Sequence, residues 1–150
     1  MFTIFTAFVT VALDQLVKYF VYTHMDLGET IPVLTNIFHL TYISNPGAAF
    51  GVLPNQDFFL LGIVGILFIA FVWLRDRIPS KPLYFPIAVG CVLGGALGNA
   101  IDRVRFGGVV DFLDFRVWPI FNVADIAICL GVTLIMLYFW RHDGGFKKNT

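Results

Sequence analysis

The sequence predicts an all-α membrane protein in which four transmembrane helices carry a small extracytoplasmic β-cradle. Hydrophobic residues make up 58% of the 150 residues and charged residues 13%, which is too apolar for an ordinary soluble domain. Four apolar segments are long enough to cross a hydrocarbon core of ~30 Å at ~1.5 Å per helical residue. No repeat or long linker divides the sequence, so we expect one integral membrane domain over residues 1–150.

The predicted spans cover residues 2–22, 58–74, 83–101 and 122–140, which places both termini on the same side of the membrane. The first span lacks the basic start and the cleavage site of a secretory signal peptide, so we interpret it as a retained helix. The third span carries Gly90, Gly94 and Gly98 at every fourth position, which lets a neighbouring helix approach closely. For these glycines we favour helix packing over a binding role.

The connection over residues 23–57 predicts a β element, because it is too long for a simple helical hairpin. Ile37 to Ser44 is rich in β-branched and aromatic residues, which is typical of a strand. Phe112 to Trp118 predicts a second extended piece, which ends before Pro119 and pairs with the first. Together they form a cradle on the outer leaflet.

The segment from Asn45 to Gly51 combines turn residues with small residues, which predicts a tight turn. The alternative is that Asn45 offers an amide to a site while Gly47 and Ala49 leave room for a bound chain. The plain turn is the favoured interpretation.

The distribution of Lys and Arg predicts cytoplasmic termini under the positive-inside rule. Six basic residues lie on the side of the termini: Arg75, Arg77, Lys81, Arg141, Lys147 and Lys148. The opposite side carries four: Lys18, Arg103, Arg105 and Arg116. The connection over residues 23–57 has no Lys or Arg and is therefore expected to face outward.

The composition excludes several classes of protein. The formal net charge is zero and the basic residues form no long run, so we expect no nucleic-acid partner. Cys91 and Cys129 lie within apolar runs, where cysteine behaves as a small hydrophobic residue. No zinc-ligand spacing occurs, and we expect neither a metal nor another cofactor.

Asp111 and Asp125 are the candidate catalytic residues, because a carboxylate at the edge of a hydrocarbon layer must be paired, neutralised or functional. Two carboxylates in contact cannot both ionise easily, so one retains a proton. Such a pair can activate water for peptide hydrolysis without a serine or cysteine nucleophile. The alternatives are helix capping for Asp125 and an exposed loop position for Asp111, and Asp114 is interpreted as a surface acid.

Eight further residues are candidate supporting or substrate-binding residues: Asp14, Lys18, Asn45, Gly47, Asn99, Asp102, Arg103 and Asn122. Five of them have predicted positions at the outer ends of helices or in outer connections: Asn45, Asn99, Asp102, Arg103 and Asn122. Asp14 and Lys18 are four residues apart and can pair on one helical face. Equally, Lys18 can snorkel to the outer boundary beside a compensating acid. Asp102 and Arg103 can also be a simple ion pair at a helix end.

Five ordered motifs resemble those of the lipoprotein signal peptidase (signal peptidase II) family, the bacterial prolipoprotein aspartyl peptidases. The motifs are Asp14-Gln15-x-x-Lys18, Asn45-x-Gly47-x-Ala49-Phe50, Gly95-Ala96-Leu97-Gly98-Asn99-x-x-Asp102-Arg103, Val109-Val110-Asp111-Phe112 and Phe121-Asn122-Val123-Ala124-Asp125. The connection between the two aspartates is shorter than in many relatives, which leaves its β contribution open.

The resemblance implies a membrane endopeptidase that removes the signal peptide of a prolipoprotein before a cysteine that carries diacylglycerol. It assigns catalysis to Asp111 and Asp125 and supporting roles to the other polar residues of the motifs. The implied partners are the diacylglyceryl prolipoprotein and membrane lipid, and we expect a monomer. The implied location is the bacterial inner membrane, with the site near the periplasmic face.

Two other functions remain open from the residues alone. Charged residues within spans also mark ion pathways, which would suit a small proton-coupled transporter. The polar residues cluster at one end and no inverted repeat is visible, which argues against a transporter. A non-catalytic assembly factor would use the glycine face for packing and the acids for ion pairs.

Overall fold

The computed structural model describes residues 1–47 and 56–143. It contains four long helices, α1 (Phe2–His24), α2 (Asp57–Leu74), α3 (Tyr84–Phe106) and α4 (Val123–Asp143). It also contains three strands, β1 (Thr30–Leu34), β2 (Phe38–Asn45) and β3 (Val109–Asp114). All four helices are long and apolar enough to cross a membrane. The predicted fold class is therefore confirmed.

Helix α3 packs between α1 and α4, and its glycines explain how closely the helices approach. A Cβ atom at Gly90 would lie 2.6 Å from the carbonyl oxygen of Thr3 in α1. One at Gly95 would lie 2.5 Å from the carbonyl oxygen of Ala124 in α4. The small residues thus serve helix packing, as predicted. By contrast, none of the residues of α2 is buried, so this helix presents most of its surface to lipid.

The third predicted span, residues 83–101, is the apolar part of α3, whose outer end carries Asp102 and Arg103 and continues to Phe106. Charged residues ended the apolar run there without ending the helix. Gly107 ends it instead, with a left-handed φ of 68° and an N–H that donates to the carbonyl oxygen of Arg103. Helices α1 and α4 also extend past their predicted ends, to His24 and Asp143.

The three strands form one antiparallel sheet in the order β1-β2-β3. The strand predicted at Ile37 to Ser44 is confirmed as β2, and its predicted pairing with a later segment is confirmed as the β2–β3 ladder. The predicted range Phe112 to Trp118 was wrong, because β3 ends at Asp114 and Arg116 adopts a φ of 66°. The connection between the two candidate catalytic residues therefore does contribute to the sheet.

Strand β1 was not predicted, and its composition explains why. Pro32 lies in the middle of it, and proline within a run of residues argues against a strand. It is tolerated here because β1 is at the edge of the sheet. All five residues of β1 are exposed, so the strand has no buried face and its sequence shows no alternation of apolar and polar residues.

A small apolar core attaches the sheet to the helices. It consists of Val21 and Met25 at the end of α1 and of Val110 and Phe112 in β3. The two β3 residues flank Asp111, so this packing fixes the segment that carries the carboxyl group.

Asp114 is not the surface acid that the sequence suggested, since only 4% of it is exposed. Its carboxylate accepts hydrogen bonds from the Thr41 hydroxyl at 2.8 Å and from Arg116 Nη1 at 3.0 Å. Thr41 belongs to β2, so the burial of Asp114 arises from strand pairing.

Candidate active site

Asp111 and Asp125 lie at the junction of the sheet and the helical bundle. Asp111 is in β3 and is only 2% exposed, and Asp125 is in the first turn of α4. Both line the same cavity, which has a volume of about 680 Å³. The structure therefore brings together two acids that the sequence placed in different elements.

Asn122 connects the two carboxyl groups. Its side-chain Nδ2 donates to Asp111 Oδ1 at 2.7 Å, and its side-chain Oδ1 accepts the backbone N–H of Asp125 at 2.9 Å. The backbone N–H of Asn122 in turn donates to Asp125 Oδ2 at 3.2 Å. These reciprocal bonds form a capping box at the start of α4, so Asp125 does have the capping role considered above. That role holds its side chain in place at the cavity wall.

Two further asparagine side chains complete the hydrogen bonding of the acids. Asn45 Nδ2 donates to Asp111 Oδ2, and Asn99 Nδ2 donates to Asp125 Oδ1, both at 2.9 Å. Each of the four carboxylate oxygens therefore accepts a hydrogen bond from an asparagine. These donors fix the orientation of both carboxyl groups.

The surroundings raise the pKa of Asp111 from 3.8 to about 7. Burial is the largest cause, because it removes the carboxylate from water, and the negative charge of Asp125 adds to it. Hydrogen bonds from Asn45 and Asn122 act in the opposite direction without cancelling the effect. Asp111 can therefore hold a proton near neutral pH.

Arg103 joins the turn after β2 to helices α2 and α3. Its Nη2 donates to the carbonyl oxygen of Gly47 at 2.8 Å and its Nη1 to that of Asn99 at 3.2 Å. Its Nε lies 3.6 Å from Asp57 Oδ1. Asp57 was not among the predicted site residues. Its position at the start of an apolar span is the sequence feature that could have identified it.

The turn predicted after β2 is present at its start. The backbone N–H of Gly47 donates to Asn45 Oδ1 at 3.0 Å, which is an Asx-type turn. The amide Nδ2 of Asn45 also donates to Asp111. Asn45 therefore both forms the turn and offers an amide to the site, the two interpretations that its sequence position left open. Ala48, Ala49 and the rest of the predicted turn lie outside the described residues, as do Lys147 and Lys148.

Asp14, Lys18 and Asp102 form a buried cluster beside the site. Lys18 Nζ lies 2.9 Å from Asp14 Oδ2 and 2.8 Å from Asp102 Oδ2, and Lys18 is only 1% exposed. Snorkelling of Lys18 to the membrane surface is therefore wrong, because its ammonium group points into the protein. Gln15, which was only part of a motif, also donates to Asp102 Oδ1 at 2.9 Å.

The cavity beside the two acids has a mostly apolar lining. Leu60, Ile63 and Val64 of α2 contribute to it, as do several residues of α4 that include Ile126 and Cys129. Such a lining suits an apolar segment of a peptide or an acyl chain. Within residues 1–47 and 56–143, no group of three or more His, Cys, Asp or Glu side chains is arranged to hold a metal ion.

Comparison with known proteins gives concordant results. Residues 6–141 match the family model described as signal peptidase (SPase) II. The lipoprotein signal peptidase of Halothermothrix orenii is 43% identical over 137 residues, which cover 90% of this chain and 92% of that protein. That of Brevibacillus brevis is 47% identical over 145 residues, which cover 95% of each protein.

Solved structures agree with the sequence comparisons. A bacterial membrane enzyme whose structure was obtained by the in meso method superposes with a TM-score of 0.89 at 36% identity, covering 99% of this chain and 92% of that one. A second such enzyme superposes with a TM-score of 0.83 at 35% identity, covering 93% of each chain.

Proposed function

Because the chain belongs to the signal peptidase II family, we propose that Asp111 and Asp125 are its catalytic pair and that Asn45, Asn99 and Asn122 hold them. The protein is a multi-pass membrane peptidase that removes signal peptides from prolipoproteins. The observation that carries the proposal is that both carboxyl groups line one cavity and that asparagines bind all four of their oxygens.

In the proposed reaction, Asp125 acts as the base and Asp111 holds the proton. Asp125 lies in the first turn of α4, where the helix dipole favours a negative charge, whereas Asp111 lies in β3 and is almost completely buried. Asp125 takes a proton from the attacking water. The neutral carboxyl group of Asp111 donates a hydrogen bond to the scissile carbonyl oxygen, where negative charge develops.

The tetrahedral intermediate then collapses as the C–N bond breaks. The proton that Asp125 took from water passes to the leaving amine, which restores the charged carboxylate. No covalent intermediate with the protein is formed. Arg103 supports the site by holding the backbone at Gly47 and Asn99 beside the two acids.

The proposed substrate is a prolipoprotein whose cysteine carries diacylglycerol, cleaved immediately before that cysteine. The apolar cavity wall formed by α2 and α4 supports this choice, because a signal helix and acyl chains can enter it from the lipid phase. Membrane lipid is accordingly the second proposed partner. We also propose that the chain acts as a monomer.

The proposed orientation in the bacterial inner membrane has both termini in the cytoplasm and the site near the periplasmic face. Arg75, Arg77 and Lys81 lie in the short connection between α2 and α3, at the end of the bundle that carries the termini. Asp111 and Asp125 lie at the opposite end. The excess of basic residues at the first end supports its cytoplasmic location.

Neither of the two other functions considered from the residues is retained. Membership of a peptidase family argues against a transporter and against a non-catalytic assembly factor.

The test is cleavage of a purified diacylglyceryl prolipoprotein by Asp111→Asn and Asp125→Asn variants in detergent. Each variant is expected to lose activity by at least about 10³-fold, since it removes the acid or the base. Asp114→Asn is the matched control, because this buried acid lies in the same strand but is bonded to Thr41 and Arg116. It is expected to keep wild-type activity.

Substantial cleavage by either catalytic variant would exclude the aspartate pair. Equal cleavage of the precursor without diacylglycerol would exclude the proposed requirement for lipid. Size-exclusion chromatography of the Asp111→Asn, Asp125→Asn and Asp114→Asn variants establishes that they are folded.

A further inference from the structure

A buried acid holds the backbone immediately before Asp111. Asp102 Oδ2 accepts the N–H of Val110 at 3.1 Å, across the tight connection between α3 and β3. Asp102 and Val110 are both buried, so water does not compete for this bond. The position of Asp102 on α3 thus determines where the backbone of Val110, and with it Asp111, lies at the start of β3.

A second buried acid holds the backbone immediately before Asp125. Asp14 Oδ1 accepts the N–H of Ala124 at 2.9 Å, which links α1 to the first turn of α4. Asp14 and Ala124 are fully buried. The two proposed catalytic residues are therefore held in the same way. In each case the backbone N–H of the preceding residue donates to a carboxylate, from α3 for Asp111 and from α1 for Asp125.

One ammonium group joins these two acids. Lys18 Nζ lies 2.9 Å from Asp14 Oδ2 and 2.8 Å from Asp102 Oδ2. A buried lysine between two carboxylates has a narrow range of acceptable positions, because each ion loses its hydration and needs its partners at contact distance. The separation of Asp14 from Asp102 is therefore set by Lys18.

Lys18 also controls a side chain that touches the site. It donates to Asn99 Oδ1 at 2.9 Å, and Asn122 Nδ2 donates to the same oxygen at 3.0 Å. With two donors on its oxygen, the amide of Asn99 directs its Nδ2 at Asp125. A flipped amide would place an N–H group against the ammonium.

Resting on the proposed catalytic pair, we infer that Lys18 is a positioning residue, which sets the separation of Asp111 and Asp125 through Asp102 and Asp14. Its net contribution to stability is not the reason for its presence, since buried ion pairs often stabilise a fold no more than apolar residues do. Lys18, Asp14 and Asp102 are not among the residues that line the cavity. Loss of Lys18 should consequently alter the chemical step without altering substrate binding.

The experiment compares kcat and KM for cleavage of a diacylglyceryl prolipoprotein by the full-length enzyme. Lys18→Met removes the ammonium group and keeps a flexible apolar side chain of similar length. The second variant combines Lys18→Met with Asp14→Asn, which conserves the net charge of the cluster and leaves an amide oxygen to accept the Ala124 N–H. It leaves one carboxylate, Asp102, without its ammonium partner, whereas the single variant leaves two.

Both variants are expected to lower kcat by about 100-fold with an unchanged KM, which is the usual effect of misplacing catalytic groups by about 1 Å. Arg116→Met is the matched control, because it also removes a cation from a buried acid of β3, and it should keep the wild-type kcat. Folding is measured by thermal unfolding in detergent.

A wild-type kcat in either folded variant would overturn the positioning role, and so would a rise in KM at constant kcat. Failure of both variants to fold would assign Lys18 to stability alone and would also overturn it. Cleavage by Asp111→Asn or Asp125→Asn would contradict the catalytic pair instead, so the two failures are distinguishable.

Discussion

Asp111→Asn is expected to inactivate the enzyme and, at alkaline pH, to stabilise it. Burial raises the pKa of Asp111 from 3.8 to about 7, so the folded protein resists the ionisation that the unfolded chain allows. A carboxyl group whose folded-state pKa is raised stabilises the fold fully below its unfolded pKa. That contribution is lost as the pH rises towards the folded-state value. The relevant window therefore runs from about pH 4 to about pH 7.

The size of this effect follows from the two pKa values. One pKa unit corresponds to about 1.4 kcal/mol, so wild-type stability falls by about 4 kcal/mol across this window. Asparagine does not ionise and escapes this loss. It does place an NH₂ group against a donor from Asn45 or Asn122, which costs about 2 kcal/mol. The variant should be about 2 kcal/mol less stable than wild type at pH 4 and about 2 kcal/mol more stable at pH 8.

The assay is SDS titration of both proteins in mild detergent at pH 4 and pH 8, followed by tryptophan fluorescence. Asp114→Asn is the control from the same strand. Burial acts to raise the pKa of Asp114, but hydrogen bonds from Thr41 and Arg116 outweigh it and hold the pKa below its usual value. A lowered pKa stabilises the fold above pH ~4, so this variant should be less stable than wild type at pH 8.

The crossover with pH is the decisive feature for Asp111. A stability difference between Asp111→Asn and wild type that is equal at pH 4 and pH 8 would refute the account of a buried carboxyl group with a raised pKa. If Asp114→Asn were also more stable than wild type at pH 8, the stabilisation would not be specific to the raised pKa of Asp111.

Two further predictions concern packing and topology. Gly98→Ala should lower the free energy of unfolding by about 1–3 kcal/mol, because the added Cβ would lie 2.5 Å from Asp14 Oδ2. Gly62→Ala is the matched control, since its added Cβ would have no atom within 4 Å. Thermal unfolding of both variants measures the difference. An equal effect of the two substitutions would contradict close packing at Gly98. A reporter fused after Lys148 should be active in the cytoplasm, and periplasmic activity would reverse the proposed orientation.

The prediction at Asp111 also indicates how function and stability are opposed in this protein. The burial that gives Asp111 a proton near neutral pH is the same burial that costs stability when it ionises. The asparagines around it reduce that cost by offering hydrogen bonds to both oxygens. An active site of this kind is therefore less stable than the fold could be.

The helical part of the fold was predictable because its signals are local. Hydropathy over about 20 residues identifies a span whatever it packs against, and all four spans were found in this way. Hydropathy identifies only the apolar part of α3, because the helix continues beyond it through charged residues to Phe106. Strand β1 was missed because an exposed edge strand that contains Pro32 has no distinctive pattern.

The candidate site was predictable only as a set of residue types in ordered motifs. Asp111, Asp125, the three asparagines and Arg103 were candidates from the sequence, and the structure places them around one cavity or beside it. Which asparagine binds which carboxylate oxygen was not predictable, because the partners come from β2, α3 and the start of α4. Asp57 was missed for the same reason, as it approaches Arg103 only after α2 and α3 have packed.

By itself, the sequence determined that the chain spans the membrane four times and which polar residues a hydrocarbon environment makes costly. Those properties depend only on the composition of each segment and on whether water or lipid surrounds it, so they can be predicted without knowing which other segments pack against it. Only the tertiary structure decided that Asp114 is buried, that Lys18 points inward, and that Asp111 and Asp125 line one cavity. Each of these depends on contacts between residues far apart in the chain, and burial and charge pairing exist only once those contacts have formed.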